Sequence, residues 1–346
     1  MIYYGRDDSQ HWRDRNVTPG KMPSMLWLWK KRLPEDVHRE LIQKYGKLYG
    51  VRMFGKTTII CNRPDIISQV LSKEFTSFIN RRKLTTGDAI ADNMLQITTD
   101  DKWKRLRAIV SPTFSTGKLR KMRPLIDDCL QTLVTNIGKM STNSDHSVDM
   151  KTVYGAYTME VIIQVAFGTK VDALIDDKNP IILNAKKLMS QDFKIWQLIH
   201  VLIIFMFPKV AKFFGMTFMP KDITGFFTDL INKIIAERRT GKALDGGKRY
   251  DFLQLLLDAN ERNSEETHKQ ETTTESDVLS EEQTTPLQLN TKSMSDAEMI
   301  SQCVLFFIAG YETTATTISY AIYLLSENPE SQQKLFEESK SIFETK

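Results

Sequence analysis

Near the end of the sequence, Ala309-Gly310-Tyr311-Glu312-Thr313-Thr314 sets two small residues, an acid and two adjacent hydroxyls inside a strongly apolar stretch. Gly inside a helix costs about 1 kcal/mol relative to Ala, and Thr hydroxyls bond back to earlier carbonyls and bend or widen the helix. A helix opened in this way, with a small residue, an acid and a hydroxyl, is a place to receive a flat or diatomic ligand. The same residues also suit a helix crossing, where Ala309 and Gly310 let a neighbour come close. A second constellation is Trp103-Lys104-Arg105-Leu106-Arg107, in which Trp103 and Arg107 stand four apart and share one helix face. An indole N–H and a guanidinium pointing together hold a carboxylate by charge-assisted hydrogen bonds. A core Trp with Arg107 stacked over it fits the same spacing. Asn80-Arg81-Arg82 adds a cationic pair at the start of a loop, which by itself also describes a solvated corner.

The element carrying Ala309 to Thr314 starts at Ser295-Asp296-Ala297-Glu298, a capping-box pattern, and stops at Asn328-Pro329. It is a helix of roughly thirty residues, about 45 Å long, so it must cross the whole molecule. Glu330 to Phe343 reads as one more amphipathic helix. Upstream, helical spacing covers Lys102 to Val110, Gly117 to Met140, Met150 to Phe167, Pro180 to Met189, Asp222 to Arg239 and Tyr250 to Ala259. Earlier still, Glu35 to Tyr45 is helical and ends at Gly46. Leu48 to Cys61 reads as a hairpin around Gly55-Lys56, and Pro64 opens a helix through Leu71. The expected class is mainly α with a small N-terminal β-sheet. Residues 1–34 form a proline-containing arm with aromatic anchors, 35–262 the main helical part, 263–294 an acidic Ser/Thr-rich disordered insertion, and 295–346 the long helix and its successor in the same domain.

The 346 residues, 41% hydrophobic and 26% charged, describe a folded globular chain and exclude collagen, mucin and coiled-coil rods. Three cysteines without a Cys-x-x-Cys pair imply neither a disulfide framework nor a structural zinc site, and point to a reducing compartment. A net charge of +4 is too even for a whole-protein nucleic-acid footprint. Local charge is more pronounced: Glu261 to Ile300 holds ten acidic residues against three basic, and Lys102 to Arg123 holds eight basic residues and no acid. The basic block suits a solvated face or a partner-docking one. No apolar run reaches the ~20 residues of a spanning helix, and the first forty residues carry no signal-peptide pattern. Ile195 to Phe207, with Phe213, Phe214, Met216, Phe218 and Met219, is greasy enough for buried core or for a surface dipping into lipid.

Taken together and in order, Asn80-Arg81-Arg82, Trp103 to Arg107 followed by Ser111-Pro112-Thr113-Phe114, Tyr154 to Val161, Asp251-Phe252-Leu253-Gln254 and Ala309 to Thr314 closely resemble the cytochrome P450 monooxygenases. Order and spacing fit the microsomal clan that contains the drug-metabolising family 3. The resemblance covers nearly the whole chain except the acidic insertion. It implies a P450-like fold, haem b as cofactor, and insertion of one oxygen atom from dioxygen into lipophilic small molecules. Electrons would come from NADPH through NADPH-cytochrome P450 reductase, with cytochrome b5 as a further donor, on the cytosolic face of the endoplasmic reticulum membrane. By the same resemblance Arg81, Trp103 and Arg107 would hold the haem propionates, Ala309 and Gly310 would lie against the haem face, and Phe114 and Phe306 would pack near the porphyrin. Thr313 would position the water that delivers protons during dioxygen activation, with Glu312 in the proton path. Gln96, Ile97, Leu305 and Ile308 would line the substrate cavity, roofed by Phe193 to Phe218. The basic block would meet an acidic electron donor, and Ile195 to Met219 would touch lipid.

The family's haem-ligating loop, Phe-x-x-Gly-x-x-x-Cys-x-Gly, and its Glu-x-x-Arg pair have no match in these residues. Cys61, Cys129 and Cys303 stand in other surroundings, so no metal ligand is assigned here. The expectation is a chain truncated at the C-terminus and without the membrane anchor, inactive by itself. The alternative is a non-catalytic helical protein of the same fold that binds membrane or a partner.

Overall fold

The computed structural model describes residues 9–22, 34–53, 56–81, 83–84, 86–143, 148–173, 176, 178–189, 199–200, 202–204, 207–217, 219–240, 250–261 and 293–344. Most of the proline-containing arm, Arg82, and the acidic insertion up to Lys292 lie outside the described residues. The chain divides into two units, residues 1–82 and 83–346.

In the first unit, helix α1 (Ser9–Arg13) precedes strand β1 (Thr18–Pro19), helix α2 (Pro34–Tyr45), strands β2 (Leu48–Met53) and β3 (Lys56–Cys61), and helix α3 (Pro64–Ser68). The expected hairpin is present, with Leu48 opposite Cys61 and Met53 opposite Lys56. The sheet gains a third strand from the arm: β1 lies parallel to β2, Thr18 opposite Tyr49. Two residues are too few to show an alternation, so β1 is invisible to periodicity. Glycine is required at 50, because a Cβ there would run into the buried Trp12 ring. Tyr49 and Val51 are buried with Val37 and Leu41 of α2, which ends where Gly46 takes a left-handed φ of 85°.

The second unit is helical: α4 (Ala89–Asp92), α5 (Asp100–Val110), a tight turn at Ser111–Phe114, α6 (Thr116–Asn143), α7 (Met150–Phe167), α8 (Pro180–Met189), α9 (Pro208–Phe213), α10 (Lys221–Arg239), α11 (252–261), α12 (Asp296–Glu327) and α13 (Pro329–Glu344). Two helices match their expected bounds, α7 because Asp149 caps its first turn and Gly168, at φ 64°, ends it. Helix α12 runs through the middle of this unit along α7. Its first half is buried on nearly every side, with Met299, Ile300, Cys303, Val304 and Phe307 joining Met159 and Ile163 of α7 and Phe227 and Ile231 of α10 in one core. The capping box forms as its pattern predicts: Ser295 Oγ accepts the Glu298 N–H and Glu298 Oε2 accepts the Ser295 N–H.

Beyond Phe307 the helix opens to one side. Tyr320, Tyr323 and Leu324 are exposed, as are Leu335, Phe336 and Phe343 on α13. The local opening expected around Gly310 is not found, since α12 is α-helical without interruption. The close-approach alternative accounts for the glycine: a methyl at 310 would collide with Ile162 of α7, so the two helices meet there backbone to side chain.

Candidate functional site

On α12, Ala309, Glu312, Thr313 and Thr317 stand exposed along one side, as spacings of three and four dictate. The Thr313 hydroxyl donates to the Ala309 carbonyl at 2.6 Å, and Thr317 donates to the Thr313 carbonyl at 2.7 Å. Each hydroxyl proton is therefore committed to the helix, while the Oγ1 lone pairs remain able to accept from outside. Tyr311 turns to the other side, where burial and then the Glu312 charge push its phenol up. Gly310 faces Ile162 rather than the open side, so its Cα does not join the row of Ala309 and Thr313.

Phe114 ends the tight turn after α5, and its ring centroid lies 4.8 Å from Phe306 of α12 and 5.7 Å from Phe252 of α11. Phe252 and Phe306 close the triangle at 4.4 Å. Phe114 and Phe306 thus meet, and Phe252 of the Asp251–Gln254 motif joins them. Phe252 is buried and Phe114 is 44% exposed, so the cluster runs from the core to an open rim. Its inner end is fixed by the neighbouring Asp251, which accepts two hydrogen bonds from Arg238 at 2.7 and 3.0 Å.

Trp103 is half-buried and packs on the main core, whereas Arg107, one turn on, is exposed and has no ion-pair partner among the described residues. The cation of this helix that is tied down is Arg105, which grips Glu298 at 2.6 and 3.1 Å and the Ser293 carbonyl at 2.6 Å. Burial pushes the Glu298 carboxyl up, but the Arg105 hydrogen bonds, the Ser295 N–H and the Arg105 and Lys102 charges outweigh it and hold it below the usual carboxylate range. Arg105 thereby anchors α5, with Trp103 and Arg107, to the start of α12. Arg81 lies in the first unit and is exposed. Of the cavity residues, Gln96 is exposed, while Ile97 and Ile308 are half-buried against the core that includes Leu305.

A flat ring with two carboxylates suits this set in part. Ala309 offers a small surface beside an aromatic edge, and the Arg107 guanidinium is open to a carboxylate. An axial thiolate is another matter. Cys303 is fully buried about 120° around the helix from Ala309, and burial holds its thiol strongly protonated. Cys129 donates to Gln164 at 3.0 Å, and burial together with the nearby carboxylates of Glu160 and Asp128 pushes its thiol up to about 11. Cys61 belongs to β3 in the other unit. Among the described residues no three His, Cys, Asp or Glu side chains gather as a metal site.

Comparison with known proteins agrees with the ordered motifs. The chain is 33% identical to bovine (Bos taurus) cytochrome P450 3A28 over 319 residues, 92% of this chain and 57% of that protein. It is 31% identical to cytochrome P450 3A12 of the dog (Canis lupus familiaris) over 303 residues, 88% and 55%. With cytochrome P450 3A2 of the rat (Rattus norvegicus) it shares 34% identity over 301 residues, 86% and 54%. The chain spans a little over half the length of the curated relatives it matches. Since the family model described as Cytochrome P450 also matches residues 21–346, all of the second unit included, the chain belongs to the cytochrome P450 family.

Proposed function

We propose that the second unit forms one wall of a haem-thiolate monooxygenase site acting on lipophilic small molecules, with electrons from NADPH delivered by a reductase. The family implies haem. The observation that carries the reading is the exposed row of Ala309 and Thr313 on α12, beside the Phe114–Phe306–Phe252 cluster. Haem, when bound with its thiolate, supplies the redox chemistry that activates dioxygen. Ala309 gives the ring a small surface to lie on, and Phe114 and Phe306 pack at its edge. Arg107 and Trp103 hold the carboxylates. Thr313 Oγ1, its proton spent on the Ala309 carbonyl, accepts a hydrogen bond from a water and so orients it. Glu312 exchanges the proton with solvent. Ile97, Leu305 and Ile308 exclude water from the substrate side, and Gln96 stands at the margin.

None of the three cysteines suits the thiolate role: burial keeps Cys129 and Cys303 protonated, and Cys61 belongs to β3 of the first unit. The basic stretch Lys102 to Arg123, mostly exposed on α5 and α6, suits an acidic electron donor such as the reductase or cytochrome b5. No helix among the described residues is long and apolar enough to cross a membrane. The exposed Phe207, Val210, Phe213 and Phe214 around α9 suit contact with the endoplasmic reticulum membrane.

Haem titration of the chain tests this reading. Wild type should take up haem, Arg107→Ala and Trp103→Phe should weaken uptake, and the reduced carbon monoxide complex should lack a thiolate-type band. Equal uptake by all three proteins would overturn the carboxylate clamp, and a thiolate-type band would mean that one of the three cysteines ligates iron.

A further inference from the structure

Gln302 interrupts the buried apolar run of α12 and is itself fully buried. Burying an amide is tolerable only when its hydrogen bonds are made, and here both polar atoms are used. Its Oε1 accepts the Leu95 N–H at 3.0 Å, and its Nε2 donates to the Asn93 carbonyl at 2.8 Å and to the Glu298 carbonyl at 3.1 Å. Two of these bonds reach the backbone of the segment that follows α4. The same segment is held from α5, where Lys102 Nζ donates to Asn93 Oδ1. Within it the Thr98 hydroxyl donates to the Leu95 carbonyl at 3.2 Å. Gln96 and Ile97 lie between these fixed points.

Gln302 and Ala309 stand seven residues apart, nearly in line on α12 and about 10 Å apart along its axis. The segment tied to Gln302 therefore lies on the side of α12 that carries Ala309 and Thr313, two turns toward the buried end.

We propose that Gln302 is a positioning residue for the substrate wall. By holding the Leu95 N–H and the Asn93 carbonyl it sets Gln96 and Ile97 over the inner end of the Ala309 row, and so limits the size of the lipophilic molecule that fits. This deepens the function proposed above and rests on its assignment of Gln96, Ile97, Leu305 and Ile308 to a cavity.

The full chain serves for the test, as wild type, Gln302→Met and Gln302→Glu. Hydrogen exchange is followed at residues 93–99, and affinities for pyrene and naphthalene are read by fluorescence. In Gln302→Met the Leu95 amide should exchange about tenfold faster, the loss of one buried hydrogen bond, while peptides from α7 and α10 keep their protection. The pyrene-to-naphthalene affinity ratio should rise about threefold or more as the wall loosens, a change that uniform destabilisation would not produce. Should Gln302→Met fail to fold, Gln302→Glu decides. It keeps the acceptor for Leu95 but loses the donor to Asn93, so exchange should rise around Asn93 with a smaller change in ratio. Unchanged exchange in a folded variant, or an unchanged ratio once Leu95 is freed, would overturn the proposal. If neither hydrocarbon binds wild type, the cavity assignment and its size limit fall together, and Leu95 exchange alone decides whether Gln302 positions the segment.

Discussion

Arg238 and Asp251 meet through two parallel hydrogen bonds with their side chains only 4% and 2% exposed, and a second bond from Arg238 Nη2 reaches the Phe167 carbonyl at 2.9 Å. One pair thus joins the end of α10, the start of α11 and the C-terminus of α7. Gly168 completes the arrangement, since a side chain there would run into the Asp251 carboxylate.

Removing one partner leaves a buried charge alone, at a cost of about 3–5 kcal/mol. Arg238→Met and Asp251→Asn should each lower the unfolding free energy by that order, read as a fall in the urea midpoint. Asp251 also accepts the Gln254 N–H at 3.0 Å, as a cap for α11, so its loss should disturb Phe252 and change the near-ultraviolet circular dichroism of the aromatic cluster. A midpoint within experimental error of wild type for both variants would show that the pair adds nothing.

Glu298 gives a pH dependence of defined sign. Its folded-state carboxyl lies below the ordinary 4.5, so its contribution is complete above that value and is lost as pH falls through the lowered one. Stability of wild type should therefore decline more steeply on acidification below about pH 5 than that of Glu298→Gln, which lacks this titration. Thermal melts across that window measure the difference, and parallel curves would contradict it.

Thr313→Ala removes a hydroxyl bonded within its own helix, at an exposed position, so stability should stay within about 0.5 kcal/mol of wild type. In a polypeptide carrying the cysteine loop, the same change should keep haem and send more of the NADPH-derived electrons to hydrogen peroxide than to product. The ratio of product formed to NADPH consumed is the readout. An unaltered ratio would confine Thr313 to helix structure.

Phe213 and Phe214, 84% and 70% exposed, carry the lipid-contact expectation. Wild type should float with phosphatidylcholine vesicles and Phe213→Asp, Phe214→Asp should not, with equal helicity by circular dichroism. Equal recovery in the soluble fraction for both proteins would end the idea. Phe205 and Phe218 of the same greasy stretch lie outside the described residues.

Local rules made much of this protein legible from its residues. Caps and breakers act within about four positions, so the hairpin, the bounds of α7 and α8, the Ser295–Glu298 box and the length of α12 followed from neighbours in the chain. The ordered motifs made the family legible, because short strings at set spacings survive without any knowledge of packing. What tertiary structure decided is which side chain answers which across long separations. Position in the sequence made Arg107 and Trp103 the pair of interest in α5, yet the docking of α5 on α12 gave the ion pair to Arg105, 193 residues from Glu298. Gly310, legible as ring surface or as helix crossing, was settled by Ile162. Gln302, a lone amide in an apolar run, carried a visible signal, but its partners Asn93 and Leu95 lie more than 200 residues away. Only the angle at which two elements pack brings such groups within hydrogen-bond reach, and no local spacing encodes that angle.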